Sequence, residues 1–451
     1  MTKSCGIKRQ KVAEYLISLH THSSDICMKT YKHRIADELL RRKLLGKGAV
    51  LVQGPKWCGK TTTAKQVAKT LLDLGDPSEL NNALETIQIL PKRLLEGGTP
   101  RLIDEWQTIP EIWDMVRSEV DRRGEMGQFV LTGSSVPVDE EKRRHSGTGR
   151  FGWINMRPMS LWESGESSGA VSLSQLFKGE IFDPFEFSMD LERLAFLICR
   201  GGWPQSTFMK GELALDQARD YYEAIYKVDI HRVDNVRRSS ERTRLLLRSY
   251  ARNTGSATSF NKMCADIKEN DNSSITYETL SDYADALKKL FVLEDMPAWN
   301  PNLRSKSAIQ SSDTRYFIDP SIATAALSIG PNDLLNDLPT FGLYFESMAV
   351  RDLRTYADAL DGNLYRFRDS SGLECDAVLH RRNGEYALIE IKLGGKDNIE
   401  KGAETLKSLS SKIDTERMKS PSFLMVLTGV GQYVYRRPDG VFVVPIGCLK
   451  D

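Results

Sequence analysis

The run Gly54-Pro-Lys-Trp-Cys-Gly-Lys-Thr61 constrains this chain more than any other feature. Two glycines at this spacing let Gly54, Pro55, Lys56, Trp57, Cys58 and Gly59 bend around a polyphosphate with backbone N–H groups turned inward. Lys60, Thr61 and Thr62 then open a helix whose positive end adds to the attraction. Such a loop works only between a strand and a helix. The apolar run Ala49 to Val52 predicts the strand, and Thr62 to Leu74, free of Gly and Pro, predicts the helix. In that setting Lys60 reaches the β and γ phosphates of ATP, and the Thr61 hydroxyl holds Mg²⁺.

A phosphate loop needs a carboxylate at the tip of a neighbouring strand. Arg101-Leu-Ile-Asp-Glu105 supplies two. Asp104 is placed to hold Mg²⁺ through water and Glu105 to orient or deprotonate the attacking water, because adjacent strand residues point to opposite faces. A further apolar run, Gln128 to Ser135, presents Thr132 and Ser134 at its end, as γ-phosphate contacts or as ordinary loop polars. With a helix expected over Ile109 to Arg123, the alternation predicts an α/β fold around a parallel sheet.

At 451 residues two to four domains are expected. Residues 1–30 read as an N-terminal helical extension, 31–180 as the nucleotide-binding core and 181–235 as a helical lid. Residues 236–300 have the order of a winged helix, 301–339 form a Pro/Asn/Ser-rich linker, and 340–451 make a separate α/β unit. Lys plus Arg (62) nearly balances Asp plus Glu (61), so whole-chain charge neither requires nor excludes nucleic acid. The seven cysteines are scattered and never form CxxC, which predicts reduced thiols without structural zinc. No apolar run approaches the roughly 20 residues of a membrane span, and Glu14 interrupts what would be a signal-peptide core. The expected location is the cytoplasm, away from membranes.

The segments GAVLVQGPKWCGKTTTAKQ, PRLIDEWQTIPEIWD, FVLTGSS, RHSGTGRFGWINMRPMSLWE and ICRGGWPQS resemble successive motifs of prokaryotic AAA-type ATPases that carry a C-terminal DUF4143 domain. The resemblance runs from about Tyr31 to the C-terminus. It implies an AAA-type core with Asp104 and Glu105 as the acidic pair, Thr132 to Ser134 as the sensor strand and a lid carrying Gly201 to Pro204. It places DUF4143 at roughly 200–395. It also implies that Arg150 acts as an arginine finger on a neighbouring subunit, which would require a homo-oligomer. Its alternative is a structural arginine paired within the core. No arginine directly follows the Gly-Gly-x-Pro turn, and Arg200 is the available substitute for a lid sensor.

In the last unit Asp376, Glu390 and Lys392 have the D-x₁₃-E-x-K spacing and resemble the divided active site of the PD-(D/E)xK nuclease superfamily, a restriction-endonuclease-like α/β fold. A three-residue loop, Arg382 to Gly384, puts Asp376 opposite Glu390 with Lys392 on the same face. Glu346, in the preceding helix, matches a further acidic position. Glu346, Asp376 and Glu390 then form a candidate site for a second Mg²⁺ or Mn²⁺, with Asp376, Glu390 and Lys392 catalytic. A charged hairpin that kept the fold and lost catalysis is the other reading. From Arg232 to Arg252 seven arginines stand against two acids, a pattern for phosphate-backbone contact with DNA rather than RNA, or for a solvated helix face. Two function classes follow: an ATP-driven protein acting on nucleic acid, and an ATP-gated regulator or scaffold whose last domain only binds a partner.

Overall fold

Each short apolar run flanking the phosphate loop finds a parallel neighbour in the computed structural model, which describes residues 31–134, 147–233, 236–301 and 312–451. The helical extension expected over residues 1–30 lies outside them. Arg34–Asp451 form one compact unit. Its first part runs α1 (Ile35–Gly46), β1 (Ala49–Gln53), α2 (Lys60–Lys65), β2 (Thr70–Asp73), α3 (Pro77–Ile89), β3 (Arg101–Asp104), α4 (Ile112–Arg123), β4 (Phe129–Gly133) and β5 (Phe151–Asn155). The five strands are parallel in the order β2-β3-β4-β1-β5. Alternation along them separates two cores. Leu51, Ile103 and Leu131 pack with Trp106 and Trp113 on one face, while Val50, Val52, Leu102 and Val130 pack with Leu40 and Leu44 on the other.

The helix expected over Thr62 to Leu74 is shorter. It ends at Lys65, and Thr70–Asp73 forms an edge strand. Lys69 N–H donates to the Pro100 carbonyl at 2.9 Å, and Leu71 and Leu72 align with Leu102 and Ile103. Sheet partners for this backbone outweigh a weak helical propensity.

The chain continues through α5 (Leu161–Ser164), β6 (Val171–Ser172), α6 (Leu173–Phe177), β7 (Phe185–Glu186), α7 (Leu191–Arg200), α8 (Glu212–Lys227), α9 (Ser240–Arg252), α10 (Phe260–Asn270) and α11 (Tyr277–Lys289). Two isolated bridges, Leu293 with Phe317 and Met296 with Thr314, follow the last of these helices. The stretch read as a linker holds α12 (Pro320–Leu327) and α13 (Pro331–Asn336). Pro320 and Pro331 stand in first helical turns, where a missing N–H costs nothing, so composition alone mistakes them for loop residues. Ile322, Ala323 and Ala326 are buried in the core shared by the helices.

The long helix α14 (Leu338–Ala359) leads into β8 (Gly362–Arg368), β9 (Glu374–Arg381), β10 (Tyr386–Lys392), α15 (Lys396–Lys412), β11 (Phe423–Thr428), β12 (Tyr433–Arg436), β13 (Phe442–Pro445) and β14 (Leu449–Lys450). The seven-stranded order is β7-β12-β13-β11-β10-β9-β8, so β7, far back in the chain, closes one edge. A second long-range pair, β14 on β6, ties the C-terminus to the same region. The β9–β10 register pairs His380 with Tyr386 and Ala377 with Ile389, as a three-residue loop requires, and Gly384 takes φ +82°.

Candidate functional site

The phosphate loop is shaped by close packing. A Cβ on Gly54 would lie 2.0 Å from the Met156 carbonyl oxygen, so only glycine permits this approach to the strand beside it. Gly59 has φ +101° and opens α2. Behind the loop the buried Arg34 guanidinium donates to the Cys58 carbonyl at 2.7 Å, the Arg157 carbonyl at 2.8 Å and Glu163 at 3.0 Å. This brace was not foreseen from the sequence; an arginine ahead of the first helix carries no motif.

In front of the loop lies a cavity of about 610 Å³, lined by Lys56, Trp57, Gly59, Lys60, Thr61, Thr62 and Glu105 together with Pro204, Gln205 and Gln217 of the helical region. That volume is in the range of small-ligand pockets. Gly54, Pro55 and Cys58 do not line it. Cys58 is buried with its thiol towards the Met156 carbonyl at 3.5 Å, so these residues shape the loop rather than face the cavity. Lys60 Nζ donates to the Pro55 carbonyl at 2.7 Å and retains further N–H donors for phosphate. Lys56 is tied to the buried Asp229 at 2.6 Å.

The two carboxylates of the acidic pair part where the strand ends. Asp104 ends β3 and accepts from the Thr61 hydroxyl at 2.8 and 3.0 Å and from the Thr132 hydroxyl. Thr132 is fully buried and does not reach the cavity. Its expected place on the nucleotide is corrected to a place on Asp104, because the carboxylate lies between. Glu105 has φ +51°, a left-handed conformation costly for a side chain of this kind. The turn aims it at the cavity, where its carboxylate accepts from Gln107 and from the Ser134 hydroxyl at 3.1 Å. Thr61 and Asp104 are adjacent oxygen donors, a set that fits Mg²⁺.

The turn Gly201-Gly202-Trp203-Pro204, which reaches the cavity through Pro204, is tied to later parts of the chain. A Cβ on Gly202 would meet the Met159 carbonyl oxygen at 2.1 Å. Gly202 N–H donates to Asp319 at 3.0 Å, and Asp319 in turn accepts from Arg351 at 2.9 Å. Arg351 also pairs with Asp352, whose other oxygen caps Leu161 N–H at 2.9 Å. Arg200 pairs with Glu166 at 2.6 Å and is buried, so it is not a sensor for this cavity. Arg150 lies at the start of β5, where its carbonyl accepts from Ala49 at the end of β1 remote from the phosphate loop. Its half-exposed side chain pairs with Asp121 at 2.8 Å.

In the last unit the expected four groups come together, but as a relay. Arg366 donates to Glu346 at 2.7 Å and stands 3.8 Å from Asp376. Lys392 bridges Asp376 at 2.9 Å and Glu390 at 2.6 Å. Burial, then the Asp376 charge, push the Glu390 carboxyl up to about 8 against the pull of Lys392. Burial also raises Glu346, against Arg366. Among the described residues no group of three His, Cys, Asp or Glu is disposed to hold a metal ion. The expected metal set of Glu346, Asp376 and Glu390 is corrected accordingly: a cation stands between each successive pair.

The basic stretch is largely neutralised. Arg238 pairs with Asp282, Arg244 with Glu241, Arg248 with Asp271, and Arg252 with Asp266 and Asp271, while Arg232, Arg237 and Arg242 remain exposed. Among the described residues no helix is long and apolar enough to cross a membrane.

Residues 46–164 match the AAA domain family AAA_14, and residues 341–449 match a domain of unknown function, DUF4143. DUF4143 thus begins later than the expected 200, and 191–333 match another domain of unknown function, DUF8612. The uncharacterized proteins Mb2031c of Mycobacterium bovis and Rv2008c of Mycobacterium tuberculosis are each 23% identical over 418 residues, covering 92% of this chain and 83% of theirs. Among solved structures, the Walker-type ATPase PABY2304 of Pyrococcus abyssi is 14% identical, with 66% of this chain and 97% of that one covered at a TM-score of 0.41. Cdc6p of Pyrobaculum aerophilum is 13% identical, covering 67% and 93% at a TM-score of 0.23.

Proposed function

We propose that this chain, an AAA-domain protein with a C-terminal DUF4143 domain, binds and hydrolyses ATP and uses the nucleotide state as a switch. The single observation that carries the reading is the cavity in which the phosphate loop, Glu105 and the lid turn at Pro204 meet. Lys60 and the α2 N-terminus hold the β and γ phosphates. Thr61 and Asp104 hold Mg²⁺, which when bound neutralises charge developing between the β and γ phosphates. Thr132 fixes Asp104, and Gln107 with Ser134 fixes Glu105 so that its carboxylate faces the attacking water. Arg150 lies away from its own cavity, which supports a role on a neighbouring copy and thereby a homo-oligomer.

The output of the switch passes from the lid turn through Asp319 and Arg351 to α14, the helix that also carries Glu346. The relay of charges in the C-terminal unit favours a partner-binding role for that unit over cleavage. A second reading, action on nucleic acid through a winged-helix-like module, is supported by the exposed Arg232, Arg237 and Arg242. The deciding experiment is the steady-state ATPase rate with and without single- and double-stranded DNA and RNA, with Lys60→Ala as the control for the site. Turnover that is lost in Lys60→Ala and indifferent to nucleic acid supports the switch. DNA stimulation lost on replacing the three exposed arginines supports the second reading, and turnover surviving in Lys60→Ala contradicts both.

A further inference from the structure

The carboxylates of the C-terminal unit are strung in a line of alternating charge: Glu346, Arg366, Asp376, Lys392, Glu390. Arg366 sits opposite a β-bulge. Between the pairs Tyr365 with Val378 and Phe367 with Cys375 the extra residue lies on β9, so that Asp376 and Ala377 together oppose Arg366. Its backbone is clamped on both sides, with Arg366 N–H donating to the Pro297 carbonyl at 3.0 Å and Trp299 N–H to the Arg366 carbonyl at 2.7 Å. Its guanidinium spends its fork on Glu346 at 2.7 Å, the Gly255 carbonyl at 3.0 Å, the Tyr316 hydroxyl at 3.3 Å and Glu374 at 3.2 Å. Tyr316 also donates to Glu346, so its Oε1 accepts from both Tyr316 and Arg366. Asp376 is held by Ile391 N–H at 2.9 Å as well as by Lys392.

A Mg²⁺ or Mn²⁺ ion needs about six oxygen ligands converging on one point, with one or two carboxylates open to it beside bound water. Here one oxygen of each carboxylate, Glu346 Oε1, Asp376 Oδ2 and Glu390 Oε2, faces a cation, and the side chains of Arg366 and Glu346 are 15% and 13% exposed, too enclosed to swing apart into solvent. We infer that Arg366 takes the place of a divalent metal in this cluster, so that the unit is closed to metal by an internal cation and acts as a clasp between α14, the Gly255 turn and the sheet. The clasp is independent of the ATPase reading, since it involves neither the phosphate loop nor nucleotide.

The test is Mn²⁺ titration followed by electron paramagnetic resonance on the full chain without nucleotide, in an Asp104→Asn background that removes the other candidate carboxylate. The parent should take up no Mn²⁺ that Asp376→Asn or Glu346→Gln abolishes. Arg366→Gln should gain one site, tighter than the parent by about tenfold or more, which adding Glu346→Gln removes. Parent Mn²⁺ binding with a dissociation constant below about 1 mM that is lost in Asp376→Asn would overturn the inference. So would a folded Arg366→Gln protein that gains no site. If Arg366→Gln fails to fold, the comparison of the parent with Asp376→Asn still decides.

Discussion

Replacing Arg34 by alanine should loosen the phosphate loop from behind while touching no nucleotide contact. The side chain pairs with Glu163 with 3% and 2% exposure and also feeds the Cys58 and Arg157 carbonyls. Removing one partner of a buried ion pair costs about 3–5 kcal/mol. Glu163 keeps Ile35 N–H at 2.9 Å, Ser160 N–H at 2.9 Å and the Ser160 hydroxyl at 3.1 Å, which moves the expected loss to the lower end, about 3 kcal/mol. The orphaned Cys58 carbonyl sits inside the loop itself, so part of the loss should appear as affinity. A share of about 1.4 kcal/mol corresponds to a tenfold weaker dissociation constant. Urea unfolding followed by circular dichroism gives the first quantity, and titration with a fluorescent ATP analogue gives the second. Arg34→Lys should recover less than half of either, because one ammonium cannot span three acceptors in the geometry of a guanidinium fork. A stability loss under about 1 kcal/mol with unchanged affinity would refute the brace, since that is what a surface pair contributes.

Gly202→Ala should cost about 2–3 kcal/mol and lower turnover, because its Cβ would press on the Met159 carbonyl at 2.1 Å. Gly342→Ala, with nothing within 4 Å, is the matched control and should be neutral or stabilising in thermal unfolding. Burial would raise the Glu294 carboxyl, but Arg157 and Arg354 outweigh it and hold it at about 2, below its usual 4.5. A depressed carboxyl contributes stability that is present above the unfolded value and lost as pH falls towards the folded one. The gap in melting temperature between the parent and Arg157→Met should therefore be widest above pH 5 and shrink towards pH 2; a gap constant with pH contradicts the pairing.

Legibility in the sequence followed the range of the interaction. The loop, the acidic pair and the β9–β10 register depend on neighbours within one motif or one hairpin, and spacing suffices to place them. Edge strand β2 depends on β3, which lies some thirty residues on, and propensity alone favours helix there. The same holds for β7, which joins the C-terminal sheet, and for α12, whose prolines read as linker. At the site, the sequence singled out Asp104, Glu105 and the turn ending at Pro204 but not Arg34, Gln107 or Gln217, which reach the cavity or its supports through tertiary packing. Hairpin geometry put Asp376 across from Glu390, yet Arg366, opposite a bulge in β9, changes what that pair can bind.

The most direct test of the central claim is Glu105→Gln assayed for ATP affinity and for single-turnover hydrolysis in the same preparation. Glu105 stands at the cavity on a left-handed turn with its carboxylate hydrogen-bonded to Gln107 and Ser134, whereas the proposed Mg²⁺ donors Thr61 and Asp104 are bonded to each other. The account predicts ATP affinity within about twofold of the parent and hydrolysis slowed by roughly 10²–10⁴, the range of a positioned general base. Hydrolysis by Glu105→Gln at the parent rate would contradict it.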